Sequence, residues 1–103
     1  MGYTKVNFEE AKQLLDSTPN HILLDVRDEE EYLGGHAHGA EWFPLDEITE
    51  ESALEMVPDK TTLVLLYCRS GNRSKQAADL MLAYGYEHIY DMGGLLGWPY
   101  GID

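Results

Sequence analysis

Apolar and polar residues alternate along the chain in blocks that predict strands and helices in turn. Apolar runs too short for helices predict strands at residues 3–6, 21–26, 41–44, 61–67 and 87–92. Apolar residues at helical spacing predict helices at residues 8–16, 28–32, 46–56 and 76–84. Strands that alternate with helices form parallel sheets. The pattern therefore predicts an α/β fold, with a five-stranded, mostly parallel sheet and helices on both faces.

Polar residues and a glycine mark the ends of these predicted helices. Asn7, followed three residues later by Glu10, resembles a capping box. Asp28 and Asp46 are suitable caps for the second and third helices. Gly85 suits the end of the fourth helix because glycine readily adopts the left-handed conformation found there. Residues 29–31 are all glutamate and are expected to form a solvated helix face.

Length and composition fit one compact domain over residues 1–103, of which 44% are hydrophobic. The longest uninterrupted apolar run, residues 63–67, is too short to span a bilayer, so we expect a soluble protein. With 19 acidic and 7 basic residues, the net charge is -12. This charge argues against nucleic acid and anionic membranes as partners and leaves a basic protein as a candidate partner.

The chain contains one cysteine, Cys68. An internal disulfide and a multi-cysteine zinc site are therefore excluded, and a free thiol fits a reducing compartment, which predicts the cytoplasm. His36 and His38 stand two residues apart with no cysteine nearby, which is a poor ligand set for a tetrahedral metal. No metal and no cofactor are predicted.

Cys68 stands where a predicted strand gives way to a loop and then to a helix. Backbone N–H groups at the start of a helix favour an anion, so a thiolate there would be stabilised. Between Lys60 and Ala78 the chain has no acidic residue, yet four of its seven basic residues fall in this window: Lys60, Arg69, Arg73 and Lys75. A lone cysteine at the end of a buried strand is often inert. Here the neighbouring glycine, arginines and helix start favour a reactive thiol.

Three sequence motifs extend this picture. The segment CRSGNRS at residues 68–74 resembles the active-site loop of single-domain rhodanese-like sulfurtransferases. Two further stretches carry the same resemblance, namely LDVR, EY and GHAHGA at residues 24–27, 31–32 and 35–40, and GGLLGW at residues 93–98. The resemblance spans residues 5–98 and implies the rhodanese-like fold. His38 and the preceding Ala37 depart from the proline and aliphatic residues common at those positions.

The resemblance implies an enzyme that moves a sulfane sulfur from a small anionic donor, such as thiosulfate or a persulfide, to a thiol, cyanide or protein acceptor. Cys68 would carry the sulfur as a persulfide, in two-step covalent catalysis, with Arg73 as the second catalytic residue. The predicted substrate-binding residues are Arg69, Ser70, Gly71, Asn72 and Ser74. The predicted loop-supporting residues are Asp25, Arg27 and His36.

Two alternatives compete with sulfur transfer. Phosphatases and arsenate reductases with a related fold also use a cysteine loop, but their pattern has five residues between cysteine and arginine, whereas four separate Cys68 from Arg73. A non-catalytic binding or regulatory module is the other alternative, although such modules usually lack the cysteine.

Three aromatic residues suit either the core or a pocket rim: Trp42, Phe43 and Trp98.

Overall fold

The computed structural model describes residues 2–103. Within this range, strands and helices alternate as the hydrophobic pattern predicts. The strands are β1 (Thr4–Lys5), β2 (His21–Asp25), β3 (Glu41–Trp42), β4 (Leu63–Cys68) and β5 (His88–Gly94). The α-helices are α1 (Phe8–Ser17), α2 (Glu29–Leu33), α3 (Glu50–Met56) and α4 (Asn72–Ala83), with a 3₁₀ helix at Leu45–Glu47. No helix in the described range is long and apolar enough to cross a membrane.

The five strands form one sheet in the order β1-β5-β4-β2-β3, and every pairing is parallel. β4 occupies the middle of the sheet, and all six of its residues are buried. This position agrees with its continuous apolar sequence, since a central parallel strand is covered on both faces. Its last residue is Cys68, which therefore lies at the carboxyl ends of the parallel strands, where ligand crevices form.

The sheet is covered on both faces, as predicted. Successive side chains of a strand point to opposite faces. On one face, Val64, Leu66 and Cys68 of β4 pack with residues of α3 and α4, among them Ala53, Ala77, Ala78 and Met81. On the other face, Leu63, Leu65 and Tyr67 pack with Ala11 of α1 and with Trp98. The two cores hold β4 from both sides and fix the position of the cysteine at its end.

Local capping signals are confirmed at three helix ends. Asn7 Oδ1 accepts the Glu10 N–H at 2.8 Å, and the Asn7 N–H donates to Glu10 Oε1 at 2.9 Å, which completes a capping box for α1. Asp28 caps α2 in the same way, with Glu31 as its partner. Gly85 follows the end of α4 with φ of +93°.

Two helix boundaries differ from the prediction. The continuous helix expected over residues 46–56 is a 3₁₀ turn followed by α3, and the cap of α3 is Thr49 rather than Asp46. The break lies at Ile48, which leaves helical geometry with ψ of 111° as its side chain enters the core. α4 begins at Asn72, four residues earlier than predicted, directly after Gly71 turns the chain with φ of +99°.

The end of β5 packs tightly on the loop that follows Cys68. Gly94 pairs with Cys68 in the sheet, and the Leu95 N–H donates to the Cys68 carbonyl oxygen at 2.9 Å. A Cβ atom on Gly94 would lie 2.3 Å from the carbonyl oxygen of Arg69, closer than real contacts allow. The absence of a side chain at Gly94 therefore lets β5 approach the loop.

We predict that Gly94→Ala lowers the free energy of unfolding by about 1–3 kcal/mol, because backbone atoms must move to admit the methyl group. The measurement is the chemical denaturation midpoint. Gly2→Ala is the control, since a Cβ atom there meets nothing within 4 Å. Equal midpoints for Gly94→Ala and the wild type would contradict the close approach.

Candidate active site

Cys68 lies beneath a tight turn formed by residues 69–71, and its side chain is fully buried. The Gly71 N–H donates to Cys68 Sγ at 2.9 Å. Ser74, in the first turn of α4, places its Oγ 3.6 Å from the same sulfur, and its hydroxyl donates to the Gly71 carbonyl oxygen at 3.2 Å. The left-handed conformation of Gly71 makes this turn possible, because it aims the backbone N–H back at the sulfur.

This environment lowers the pKa of the Cys68 thiol. Burial alone raises the pKa, because it disfavours the charged thiolate. Hydrogen bonds from Ser74, through its backbone and its hydroxyl, act in the opposite direction, as do the backbone N–H groups of Gly71 and Ser70. The hydrogen bonds outweigh the burial, so the loop increases the fraction of nucleophilic thiolate.

Arg73 is paired with a carboxylate instead of facing open space for a substrate anion. Its Nη1 donates to Glu31 Oε1 at 2.6 Å, and its Nη2 donates to Glu31 Oε2 at 2.9 Å. Both arms of the guanidinium fork are thus filled by the Glu31 carboxylate in this structure. In this arrangement Arg73 ties the first turn of α4, and with it the cysteine loop, to α2.

Glu31 is the residue that sequence reasoning missed. It was expected on a solvated helix face, yet its side chain is only 21% exposed and makes the two-pronged contact with Arg73. Hydrogen bonding to Arg73 is the main reason that the pKa of Glu31 falls to about 2, from an ordinary value of 4.5. The pair spans 42 residues of sequence, so no local pattern indicates it.

A buried network links the ends of β2 and β4. Arg27 binds the Asp25 carboxylate through Nε, at 2.9 Å to Oδ1, and through Nη2, at 2.6 Å to Oδ2. Arg27 Nη2 also donates to the Gly35 carbonyl oxygen at 2.6 Å. The Tyr67 hydroxyl donates to Asp25 Oδ2 at 2.5 Å and accepts the Ala37 N–H at 3.1 Å. Burial and the Asp25 carboxylate raise the pKa of Tyr67 and keep it protonated as this donor.

The two histidines occupy different surroundings. His36 stacks on the Tyr32 ring with centroids 3.8 Å apart, and its Nδ1 lies 2.9 Å from the Tyr32 carbonyl oxygen. His38 places its Nδ1 2.9 Å from Asp103 Oδ2 and donates its backbone N–H to the Gly101 carbonyl oxygen at 2.9 Å. Within residues 2–103, no group of three His, Cys, Asp or Glu side chains is arranged to hold a metal ion.

The three aromatic residues left open by the sequence have separate positions. Phe43 lies in the core beneath α3. Trp42 is half-buried, and its Nε1 donates to the Arg27 carbonyl oxygen at 2.9 Å. Trp98 is buried against Phe8, with ring centroids 5.3 Å apart, and also lines a cleft beside the cysteine loop.

This cleft has a volume of about 620 Å³. One wall is formed by α2 and the Gly34–Gly35 turn, a second by Arg69 and Ser70, and a third by residues 95–98 and Ile102. Arg69 and Ser70 are exposed on the wall directly after Cys68, whereas Asn72 is exposed at the start of α4 outside the cleft lining. Cys68 lies behind this wall and is not itself part of the lining.

Comparisons with known proteins agree with this geometry. The model of the rhodanese-like domain family matches residues 7–99. The chain is 42% identical over 72 residues to the thiosulfate sulfurtransferase PspE of Escherichia coli, a match that covers 70% of this chain and 68% of that protein. It is 33% identical over 97 residues to the thiosulfate sulfurtransferase GlpE of Tolumonas auensis, which covers 93% of this chain and 88% of that protein.

Solved structures show the same likeness. A rhodanese from E. coli, solved with anions, superposes with a TM-score of 0.75 at 35% identity and covers 81% of this chain and 96% of its own. The Alr3790 protein from Anabaena superposes with a TM-score of 0.83 at 26% identity and covers 95% of this chain and 90% of its own.

The depressed pKa of Glu31 predicts an acid-sensitive contribution to stability. The ionised carboxylate stabilises the fold above about pH 4.5, and this contribution is lost as the pH falls toward about 2. The difference in unfolding free energy between the wild type and Glu31→Gln should therefore shrink across that interval, as measured by denaturant titrations at several pH values. Glu29→Gln, on the same helix and without an ion pair within residues 2–103, should track the wild type. If the difference in unfolding free energy between the wild type and Glu31→Gln did not depend on pH, the Glu31–Arg73 ion pair would not be its cause.

Proposed function

Because the chain belongs to the rhodanese-like domain family, we propose that it moves a sulfane sulfur through a persulfide formed on Cys68. The chain is a sulfurtransferase of the rhodanese type, which needs a sulfur donor and an acceptor. The observation that carries the assignment of Cys68 is the hydrogen bond from the Gly71 N–H to its Sγ at 2.9 Å, in a loop that lowers the thiol pKa.

The proposed reaction has two steps. In the first, the Cys68 thiolate attacks the outer sulfur of a donor such as thiosulfate, and the donor's S–S bond breaks. The electron pair leaves with sulfite, and Cys68 holds a persulfide. The reactants and the products of this step therefore each carry three negative charges. In the second step, a thiol, cyanide or protein nucleophile takes the outer sulfur and releases the Cys68 thiolate. This is covalent catalysis through a single nucleophile.

Some loop residues interact with the cysteine sulfur, and others bind the donor. Gly71 and Ser74 stabilise negative charge on the cysteine sulfur: the Gly71 N–H already donates to it, and the Ser74 hydroxyl, 3.6 Å away, can turn to donate to a thiolate. Arg69 binds the anionic part of the donor from the cleft wall, where its side chain makes no hydrogen bond or ion pair within residues 2–103. Arg73 positions the loop through Glu31. Asp25, Arg27 and His36 support the loops that form the opposite wall.

A single cysteine cannot resolve its own persulfide by forming a disulfide, so the sulfur leaves to an outside acceptor. The thiol must also stay reduced between turnovers, and for this reason we place the protein in the cytoplasm. Fractionation of cells that express the chain tests this location.

Intact mass spectrometry tests the persulfide directly. Incubation with thiosulfate should add the mass of one sulfur atom to the wild type, and cyanide or excess thiol should remove it. Cys68→Ser is the control and should gain nothing. If the wild type gains no sulfur from thiosulfate or from an organic sulfane donor although Cys68 reacts with an alkylating reagent, the chain binds rather than transfers, and the binding-module alternative becomes the better account.

We predict that Arg69→Gln raises the KM for thiosulfate by about tenfold, because a hydrogen bond between charged groups contributes about 1.5 kcal/mol or more. Steady-state kinetics with cyanide as acceptor provides the measurement. Lys75→Gln is the matched control, since it removes one positive charge from an exposed position of α4 that is not part of the cleft lining. Equal KM values for the two variants would assign donor binding to other groups.

A further inference from the structure

The cleft beside the cysteine loop is mainly apolar on one side. Leu95, Leu96, Trp98 and Ile102 line it opposite α2. Leu96 is 94% exposed and Ile102 is 53% exposed, so both present hydrocarbon surface to whatever enters. Small-molecule sites typically combine such an apolar lining with a few polar groups that fix orientation. Thiosulfate, with five non-hydrogen atoms and no apolar part, leaves this surface unused.

The segment that carries Ile102 is held in place by the backbone. The Asp103 N–H donates to the His36 carbonyl oxygen at 2.8 Å, and the His36 N–H donates to the Asp103 carbonyl oxygen at 3.2 Å. These bonds frame an antiparallel bridge between Ala37 and Ile102. Ile102 is therefore an ordered part of the wall and lies beside Gly35, where an added Cβ atom would be 3.3 Å from Ile102 Cγ2.

The charges that line the cleft match one negative charge better than two. Of the two lining arginines, Arg27 is paired with the buried Asp25. Of the two lining glutamates, Glu31 is paired with Arg73. Arg69 and Glu30 remain without ion pairs within residues 2–103. A dianion would thus meet one cation, one repelling carboxylate and a chain of net charge -12.

We infer that this cleft selects a monoanionic organic sulfane donor, of the aryl thiosulfonate type, over the thiosulfate dianion. Arg69 binds the sulfonyl oxygens, and the apolar body of the donor packs on Leu96 and Ile102. The inference rests on the proposed persulfide on Cys68 and names the donor class for that same site.

The chemical step balances for such a donor. The Cys68 thiolate attacks the terminal sulfur, and the S–S bond of the thiosulfonate breaks. The electron pair leaves with the sulfonyl group as a sulfinate, while the Cys68 sulfur is oxidised to the level of a persulfide. Two negative charges are present before and after the step, and no further reactant is required.

The apolar wall is tested by comparing Leu96→Gln with the wild type, using benzenethiosulfonate and thiosulfate as donors and cyanide as acceptor. Comparing each variant with the wild type for the same donor cancels the intrinsic reactivity of that donor. We expect kcat/KM for benzenethiosulfonate to fall about tenfold more than kcat/KM for thiosulfate, the lower range for lost apolar contacts in a pocket. Leu54→Gln, an exposed leucine on α3 outside the cleft lining, is the matched control and should alter neither donor.

The charge selection is tested by Glu30→Gln at low ionic strength. Removing this carboxylate should raise kcat/KM for thiosulfate about two- to threefold more than for benzenethiosulfonate, because the dianion feels twice the repulsion. Glu51→Gln, on α3 and outside the lining, is the control for a change in net charge alone.

The outcomes separate this inference from the proposed function. If thiosulfate loads Cys68 but Leu96→Gln changes both donors equally, or changes neither, the apolar selection is overturned while sulfur transfer stands. If Glu30→Gln and Glu51→Gln have the same effect, the charge selection is overturned. If the wild type forms no persulfide with either donor, both the proposed function and this inference fail.

Discussion

The buried carboxylate of Asp25 is the constraint on which the site depends. It is fully buried, and an isolated charge there would cost several kcal/mol. Arg27 and Tyr67 compensate it, and each of these residues then reaches a second segment, Arg27 to Gly35 and Tyr67 to Ala37. The main contribution of this network is to position the segments that it connects, because buried ion pairs add little net stability. Tyr67 is the residue before Cys68, so the same hydroxyl fixes the end of β4 and the opposite wall of the cleft.

That network extends to the third wall of the cleft. Ala37, held by Tyr67, is the residue that bridges to Ile102. A carboxylate at the end of β2 thus organises a wall whose residues lie far along the chain. The position of Ile102 in the cleft is therefore a consequence of how the strand ends are tied together.

The sequence predicts the features of this protein that depend on neighbours in the chain, and misses those that depend on distant partners. The capping boxes at Asn7 and Asp28 are confirmed because each involves residues three apart. The order of strands and helices is confirmed because periodicity follows burial. The break at Ile48 was missed because an apolar residue within helical spacing gives no sign that the core draws it out of the helix. Glu31 was missed because its partner, Arg73, lies in another element.

The positive window around Cys68 illustrates the same limit in terms of charge. Four basic residues without an intervening acid favour a negatively charged sulfur at Cys68, yet the fold gives these residues different surroundings. Arg73 is neutralised by Glu31, and Lys60 lies over the Tyr86 ring, with its Nζ 5.8 Å from the centroid. Of these four residues, only Arg69 lines the cleft. Counting charges along the chain therefore overstates the positive charge at the site, because Arg73 is neutralised by Glu31, which belongs to α2.

The opposing effects on the Cys68 thiol suit a residue that must act twice. A lower pKa increases the thiolate fraction but weakens each thiolate as a nucleophile, whereas in the second step the same sulfur leaves, and a lower pKa speeds departure. Burial raises the pKa, and the hydrogen bonds from Ser74, Gly71 and Ser70 lower it, so the net decrease results from two opposing effects. A loop with hydrogen bonds alone would favour departure at the expense of attack. Burial of the sulfur at the end of β4 limits the decrease in the pKa of the Cys68 thiol. The same residue can therefore act as nucleophile in the first step and as leaving group in the second.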